Sequence, residues 1–570
     1  MIDDHTDQVR SSLDSGADTI RNTLTDAQSR RKFLMGLGST GILSLAGCAS
    51  GGEKDAQTSS SGSGTNNSQS SSSTLRMNAT QRFGTIDPAK GTDYTQTMAL
   101  VNLYDGLVFP DTKGEIKPHL AKEWSVSDDN KTYTFTLRKD ATFHSGNPVR
   151  AEDVKFTVER FFDLNQGYSS LLQDVLDPKN ITVKDEQTIE FTLNRVYSPF
   201  LATLVLLFIV DKKAVMKNKQ SGKFNDRGDY GQKWLNSNDA GSGAYQLKSF
   251  ERQSQISFSK FDDYWMGWDE NPFNEVQIKI ITKDPTVRSL MKTGKLDMTS
   301  QYQSQETYDA LKKQNGVRVE TIPTVTVFYM KMNTQKAPTD DPAVREAIAY
   351  GFDYKTARNE IASGSEQAVG PLAPSFDAHN GDIPQPTYNP KKAKQILKDA
   401  GYSEGDLKIN NTYVKDYGLE KKMGLLFQQN MSEIGIDVEL NPQTWGTMTE
   451  LATKPDKTPH VNQVFYGPVY PSPDTVFYNQ YHSGSASTWM SMAHLEDEQV
   501  DSLIDKARKT VDAKQRKQIY YDLQKRIVNL HPDLFVFVQA KKHAFAENVQ
   551  GYKFRPSQSY DYWFHNYSHK

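Results

Sequence analysis

Apolar and polar residues alternate along residues 124–137. An alternation of period two places the apolar side chains on one face of a β-strand, and the polar run Asp128-Asp129-Asn130 in its middle is typical of a tight turn. The segment therefore predicts a β-hairpin with one buried face. Its apolar positions are Trp124, Val126, Tyr133, Phe135 and Leu137.

Other segments carry apolar residues at helical spacing, and the first of them spans residues 151–162. Two more begin with a capping residue and a proline, at Asp341-Pro342 and at Asn389-Pro390, which favours a helix start. Residues 497–530 predict one long helix, which His531-Pro532 ends and a buried LFVFV strand follows. Its apolar stripe consists of Val500, Leu503, Ile504, Ala507, Ile519, Leu523 and Ile527. Strands and helices that mix without a fixed repeat indicate an α/β fold.

Composition limits the classes of function. The chain has 570 residues, of which 36% are hydrophobic, so it can bury a large core, and its formal net charge of -3 disfavours nucleic acid as a partner. Residues 200–210 form the longest uncharged apolar run after residue 48, and this run is too short to span a membrane. We therefore expect a soluble mature protein with no nucleic-acid partner.

The N-terminal segment looks like an export signal. Arg30-Arg31 resembles a twin-arginine motif, and the cysteine of residues 45–48, LAGC, resembles the lipidated cysteine of a lipobox. Cys48 is the only cysteine, so no disulfide within the chain is possible. Residues 49–74 are rich in Ser and Gly and predict a disordered tether. We expect an exported protein held at the outer face of the cell membrane by a lipid on Cys48.

Several segments, read in order, resemble the family 5 extracellular solute-binding proteins of ABC importers, the oligopeptide, dipeptide and nickel type. The resemblance covers nearly all of residues 75–555. The matching segments are NLYDGL at 102–107, residues 120–161, GSGAYQL from Gly241, DDYWMG from Asp262, MKTGKLD from Met291, VREAIAYGFD from Val344, residues 388–402 and VDSLIDKAR from Val500.

The resemblance implies an α/β fold of two lobes, with hinge strands between them and an extra subdomain on the first lobe. It places the first lobe at residues 75–104, 241–325 and 541–570, the subdomain at 105–240 and the second lobe at 326–540. The expected hinge segments are residues 321–333 and 534–542. A ligand that contacts both lobes favours the closed state by its differential affinity, and an ABC permease with its ATPase recognises that state.

The resemblance also implies which residues face the ligand, a peptide by the family's default. They are Thr92, Asp93, Tyr94, Tyr466, Gly467, Pro468 and Val469, with Trp445 beside them and Gln539 as an addition. Aromatic residues suit such a cleft because they offer large contact area with few rotors. In peptide-binding members an aspartate near Val469 pairs with the peptide's amino terminus. Because valine accepts no hydrogen bond, either Asp93 or Asp474 takes that role or the ligand lacks a free cationic end, as an oligosaccharide or a blocked peptide does.

Two other classes of function compete with solute binding. An exported hydrolase is suggested by the SxxK spacing of Ser257 and Lys260, but Ser257 lies in an alternating strand pattern rather than on a helix. The second competing class is a cell-surface interaction protein with a vestigial cleft.

His565 and His569 are four residues apart, and we expect them in a frayed tail rather than in a metal site. We expect no catalytic residues, metal or cofactor, and a monomer; a nickel complex remains a possible solute.

Overall fold

The computed structural model describes residues 73–415 and 417–570. The predicted signal, Cys48 and the tether up to residue 72 lie outside the described residues. Within the described residues, the helices are too short or too polar to cross a membrane.

Two four-stranded sheets build the half of the molecule that we call the first lobe. One is mixed, because Thr74–Ala79 runs parallel to Glu275–Ile280 while its other pairs are antiparallel. The other is antiparallel throughout. Across the mixed sheet the strands are Thr74–Ala79, Glu275–Ile280, Gln255–Lys260 and Tyr245–Glu251. Across the antiparallel sheet they are Ala121–Val126, Thr132–Leu137, Thr188–Leu193 and Leu176–Val183. Val108–Pro110 and Ile116–Pro118 form a small ribbon, as do Val549–Gln550 and Ser568–His569.

The predicted hairpin is confirmed in the antiparallel sheet. Ala121–Val126 pairs with Thr132–Leu137, and the Asn130 N–H donates to the carbonyl of Ser127 at 2.9 Å to close the turn. Asn130 has a φ of 57°, a left-handed conformation that asparagine tolerates better than most residues.

A six-stranded sheet is the centre of the second lobe, and both of its faces are covered. Val327 and Tyr329 contact one hydrophobic core, whereas the alternate residues Phe328 and Met330 contact another. This alternation is what a strand with two buried faces requires. In order across the sheet the strands are Glu366–Gln367, Asp533–Ala546, Val317–Met332, Val461–Tyr466, Leu407–Val414 and Ile436–Gln443.

Two long strands of this sheet connect the lobes, and we call Val317–Met332 and Asp533–Ala546 the first and second hinge strands. They pair antiparallel, with a break in register between Pro323 and Val327. Beyond the break, Phe545 and Met298 form a bridge, and Met298 bridges in turn to Met77 of the mixed sheet. The first hinge strand therefore covers residues 321–332 of one predicted hinge segment, the second covers all of residues 534–542, and together the two strands reach both lobes.

Helices surround the three sheets. In the first lobe the α-helices are Tyr94–Leu103, Ala151–Leu164, Phe200–Thr203, Lys212–Lys217, Gln232–Leu235, Asp284–Lys292 and Gln305–Lys312. In the second they are Pro342–Gly351, Tyr354–Thr356, Pro390–Asp399, Gly418–Glu433, Trp445–Leu451, Pro473–Tyr481, Glu498–Lys509 and Ala513–Leu530, with a π-helix at Ala357–Ile361. Short 3-10 turns lie at Ser169–Leu171, Leu204–Leu206, Asn225–Arg227, Ser483–Ser485, Trp489–Ser491, Tyr560–Tyr562 and Phe564–Asn566.

Helix starts follow the predictions, but one long helix does not. Asp341 and Asn389 cap the helices that follow them, each accepting a backbone N–H. The predicted helix over residues 497–530 is wrong as a single element, because Glu498–Lys509 and Ala513–Leu530 are separate. Asp512 begins the second helix, because its side chain accepts from the backbone N–H of Gln515. In a continuous helix this N–H would instead donate to the carbonyl four residues earlier.

The C-terminal segment is buried rather than frayed, so the prediction of a frayed tail is wrong. His565 stacks on Trp563 with ring centroids 4.7 Å apart, and its Nε2 lies 2.9 Å from the carbonyl oxygen of Gly267. Asn102 of the NLYDGL motif holds this segment, because its amide donates to the carbonyl of Tyr562 and accepts from the Phe564 N–H, both at 2.8 Å. Aromatic side chains of residues 560–567 complete the core of the first lobe.

Candidate functional site

Residues 92–94 lie at the start of the helix Tyr94–Leu103 in the first lobe. Asp93 is its N-cap, and its Oδ1 accepts from the backbone N–H of Gln96 at 2.8 Å. Burial raises the pKa of the Asp93 carboxyl, and the Gln96 N–H offsets part of that rise. The Thr92 side chain is exposed, while its carbonyl oxygen accepts from Tyr168 at 2.8 Å. Asp93 therefore has a structural partner already.

Residues 466–469 lie at the end of the strand Val461–Tyr466 in the second lobe. Tyr466 is buried, and its hydroxyl donates to the carbonyl of Thr475 at 2.7 Å. Gly467 follows where the chain passes close to the first hinge strand, since a Cβ placed on it would lie 2.8 Å from Thr326 Oγ1. Val469 is also buried, and it packs into the core of the first lobe.

A short C-terminal segment brings these two groups of predicted residues together. The Gln558 amide donates to the carbonyl of Thr92 at 2.8 Å. The neighbouring Ser557 hydroxyl donates to the carbonyl of Val469 at 3.1 Å. Thr92 in the first lobe and Val469 in the second lobe are therefore joined through two consecutive residues, which places both predicted segments at one junction between the lobes.

The predicted aromatic residue Trp445 reaches the same region through another ring. Trp445 begins the helix Trp445–Leu451 and is 41% exposed, whereas most large apolar side chains of the described residues are buried. Its ring centroid lies 5.1 Å from that of Trp489, and Trp489 lies 6.0 Å from Tyr466. Gln539 lies on the second hinge strand, where its carbonyl accepts from Thr324 Oγ1 at 2.6 Å.

Sequence reasoning missed an aromatic and charged group beside Tyr94. The Tyr94 ring centroid lies 5.5 Å from Tyr302 and 5.4 Å from Tyr562. Lys541 on the second hinge strand lies 5.5 Å from the Tyr94 ring and pairs with Asp561 at 2.8 Å. Burial, then Tyr562 and Asp561, raise the pKa of Tyr94 well above its usual value, so its hydroxyl stays protonated. The sequence offered one indication of this group: Lys541 is a charged residue inside the otherwise mostly apolar hinge segment 534–542.

Asp474, one of the two acids proposed to replace the missing aspartate, is already paired. It is buried, and its Oδ1 lies 3.2 Å from Arg508 Nε. Its Oδ2 accepts from Tyr470 at 2.7 Å and from Tyr197 at 3.0 Å. A carboxylate that holds an ion pair and two hydroxyl donors has little capacity left for a ligand's ammonium group.

Among the described residues the junction therefore offers aromatic faces, backbone carbonyls, hydroxyls and the ion pair of Lys541 with Asp561, rather than an acid without a partner. Among residues 73–415 and 417–570, no group of three His, Cys, Asp or Glu side chains is placed to hold a metal ion. These surroundings suit an organic solute held by ring contacts and neutral hydrogen bonds. Two lobes, two crossing strands and an aromatic junction between them define the class of two-lobed solute-binding proteins.

Comparisons with known proteins agree with this class. The model of the bacterial extracellular solute-binding proteins, family 5, matches residues 115–488, and the chain belongs to this family. It is 28% identical over 482 residues to the probable D,D-dipeptide-binding periplasmic protein of Escherichia coli, covering 83% of this chain and 90% of the relative.

Solved structures show the same fold. A periplasmic binding protein from Helicobacter pylori in complex with the peptide STSA has a TM-score of 0.76 at 24% identity, over 87% of this chain and 98% of that one. A Campylobacter jejuni protein in complex with Ni(L-His) has a TM-score of 0.76 at 19% identity, over 87% of this chain and 99% of that one. The predicted two-lobed α/β fold is confirmed.

Proposed function

We propose that this extracellular solute-binding protein captures peptides between its two lobes and delivers them to an ABC permease and its ATPase. The observation that carries the proposal is the junction at which Ser557 and Gln558 join Val469 of one lobe to Thr92 of the other. A ligand bound there contacts both lobes and so favours the closed state. The E. coli relative named for D,D-dipeptides supports peptide as the class of solute.

The nine residues predicted to face the ligand are part of this proposal. Three of them, Thr92, Asp93 and Tyr94, belong to the first lobe, and Gln539 belongs to the second hinge strand. The other five are Trp445, Tyr466, Gly467, Pro468 and Val469. We propose that ligand contacts come chiefly from the Trp445 and Tyr94 rings, because the Tyr466 hydroxyl is already bonded within the second lobe.

The charge around the ligand leads to a more specific proposal. Val469 offers no acceptor, Asp474 is paired with Arg508, and Asp93 caps a helix. Enclosing an ammonium group without a partner would cost several kcal/mol, on the order of 2–7 for a polar group and more for a charge. We therefore propose that the ligand's amino terminus is blocked or stays outside the closed site.

Two measurements test these proposals. Native mass spectrometry of freshly isolated protein should show a bound solute of peptide mass. Calorimetry should show that N-acetyl-trialanine binds at least as tightly as trialanine: equally if the amino terminus stays outside the closed site, and more tightly if it is enclosed without a partner. A large loss of affinity on acetylation would mean that a carboxylate does hold the amino terminus. Absence of any bound solute would favour the surface-interaction alternative.

We further propose that the protein binds its solute without turning it over. Ser257 is buried in the strand Gln255–Lys260, and the Lys260 ammonium pairs with Asp262 at 2.8 Å. Residues three apart on a strand point to opposite faces, so this lysine does not activate this serine. Release of amino acids from trialanine at a rate that depends on protein concentration would contradict the proposal.

The anchor and the export route are proposals that rest on Cys48 and Arg30-Arg31. Replacing Cys48→Ala should release the protein from membranes in fractionation, and replacing both arginines by lysine should block export. Unchanged membrane association of the Cys48→Ala variant would refute the anchor. We also propose a monomer, which light scattering of the purified protein would test.

A further inference from the structure

The molecule contains a second set of contacts between the lobes, formed by residues other than those that join Thr92 to Val469. Tyr197 and Ser198 follow the last residues of the strand Thr188–Leu193 in the antiparallel sheet of the first lobe. Asp474 and Arg508 belong to two helices of the second lobe. These four residues form what we call the latch.

The bonds of the latch cross from one lobe to the other. The Tyr197 hydroxyl donates to Asp474 Oδ2 at 3.0 Å, and both side chains are buried. The Ser198 N–H donates to the carbonyl of Arg508 at 2.9 Å. The Ser198 hydroxyl donates to the carbonyl of Ala507 at 3.3 Å. Three hydrogen bonds from two consecutive residues therefore depend on how the two lobes are positioned.

The second-lobe side of the latch is prepared within its own lobe. Asp474 is held by Arg508 at 3.2 Å and by Tyr470 at 2.7 Å. The Arg508 guanidinium lies 3.9 Å from the Tyr478 ring centroid and 4.9 Å from that of Tyr197. Asp474 and Arg508 neutralise each other without any residue of the first lobe. Their ion pair can therefore form while the lobes are apart, and Tyr197 adds a hydrogen bond to it when the lobes meet.

We propose that Tyr197 and Ser198 latch the closed state through Asp474 and Arg508. The inference rests on the proposed function, because it assumes that the lobes separate and close. A hydroxyl bonded to a buried charged group is worth more than a neutral hydrogen bond, and it forms only when the lobes meet. The latch supplies part of the free energy of closure, so the ligand has to supply less of it.

A Tyr197→Phe variant tests the latch, because it keeps the ring on Arg508 and removes the hydroxyl. The matched control is Tyr230→Phe, whose hydroxyl donates to Asp163 at 2.5 Å within the first lobe alone. Tyr197→Phe should weaken trialanine binding by roughly 10- to 150-fold, given the usual strength of a bond to a charged group, whereas the control should leave it unchanged.

A distance measurement separates this inference from the proposed function. In the full-length Cys48→Ser protein, spin labels on Ser125→Cys and Lys514→Cys report the spacing of the lobes, because both positions are exposed and lie in different lobes. Without ligand, Tyr197→Phe should shift the population toward longer distances, and Tyr230→Phe should not.

The possible results have distinct meanings. If Tyr197→Phe matches the control in both affinity and lobe spacing, the latch is wrong. If Tyr197→Phe lengthens the ligand-free spacing and neither saturating trialanine nor its acetylated form shortens it in the parent or the variant, the latch holds and closure by peptide is refuted. A longer spacing in the ligand-free variant that trialanine reverses supports both.

Discussion

Adding a single methyl group at Gly467 should disturb the predicted ligand segment in a measurable way. The Cβ of a Gly467→Ala variant would lie 2.8 Å from Thr326 Oγ1, a separation that real Cβ atoms essentially never show. The next nearest atoms, Thr326 Cβ and Cγ2, would lie at 3.7 and 3.8 Å, which are ordinary contacts. One atom of one side chain on the first hinge strand therefore causes the conflict.

The size of the effect follows from this geometry. Overpacking of this kind costs about 1–3 kcal/mol, because the chain after Tyr466 has to move away from the hinge strand. If ligand binding requires that chain to return to its place, the same free energy appears as roughly a 5- to 150-fold loss of affinity. We expect both a lower free energy of unfolding and weaker trialanine binding.

Double variants make the test specific. Thr326→Ala removes Oγ1, so Gly467→Ala combined with Thr326→Ala should recover most of the loss. Thr326→Val places a methyl group where the hydroxyl was, so the same combination with valine should not recover it. Urea unfolding and calorimetry measure the two quantities. If Gly467→Ala changes neither, or if valine rescues as well as alanine, the close approach to Thr326 does not position this segment.

Two further predictions concern the first lobe. Arg160→Met should lower the free energy of unfolding in urea by about 3–5 kcal/mol, because it removes the two short bonds of 2.8 and 2.7 Å to the buried Asp87 and leaves Lys90, at 3.8 Å, as its remaining cation. Burial alone would lower the pKa of His144. The carboxylate of Asp239, 2.7 Å away, raises this pKa by more than burial lowers it, so the pKa lies above its usual value. The destabilisation caused by His144→Gln should therefore be fully present below about pH 6.5 and shrink as the pH rises through the folded pKa.

Each of these predictions has its own control. Lys212→Met breaks an ion pair with Glu152 that is 2.9 Å long but exposed, so it should cost less than about 1 kcal/mol. Equal losses for Arg160→Met and Lys212→Met would contradict the role given to burial. For His144→Gln, urea titrations at several pH values between 5.5 and 9 give the difference from the parent. A difference that is constant with pH would show that His144 does not titrate against Asp239.

Local patterns were enough to predict the hairpin and the helix starts. The alternation around Asn130 and the capping residues Asp341 and Asn389 act on neighbours within a few residues, so the signal and the structure lie in the same short window. The same reasoning failed over residues 510–512, because the apolar stripe continues across a break that Asp512 creates by capping a second helix. The period of the apolar residues alone does not show whether such a stripe belongs to one helix or to two.

The candidate site depended far more on distant contacts. In the sequence Tyr466 is an aromatic residue before a loop of Gly and Pro, yet in the structure it is buried in a hydrophobic core and its hydroxyl donates to Thr475. Asp474 reads as a free acid, but Arg508 and Tyr197 come from segments far away in the sequence. Whether a polar residue is available to a ligand depends on such partners, and one sequence does not show them.

The position of Asn102 has a consequence for how the chain is made. Its amide bonds to Tyr562, 460 residues later, so the core of the first lobe is completed by residues synthesised long after its beginning. At about 5–20 residues per second, roughly 20 to 90 seconds separate the two on the ribosome. During that interval apolar surfaces of the first lobe lack their C-terminal cover, and contacts of such long range slow folding. A chain that ends before Tyr562 therefore leaves an apolar surface of the first lobe uncovered, and chaperones and proteases can recognise the incomplete chain by this surface.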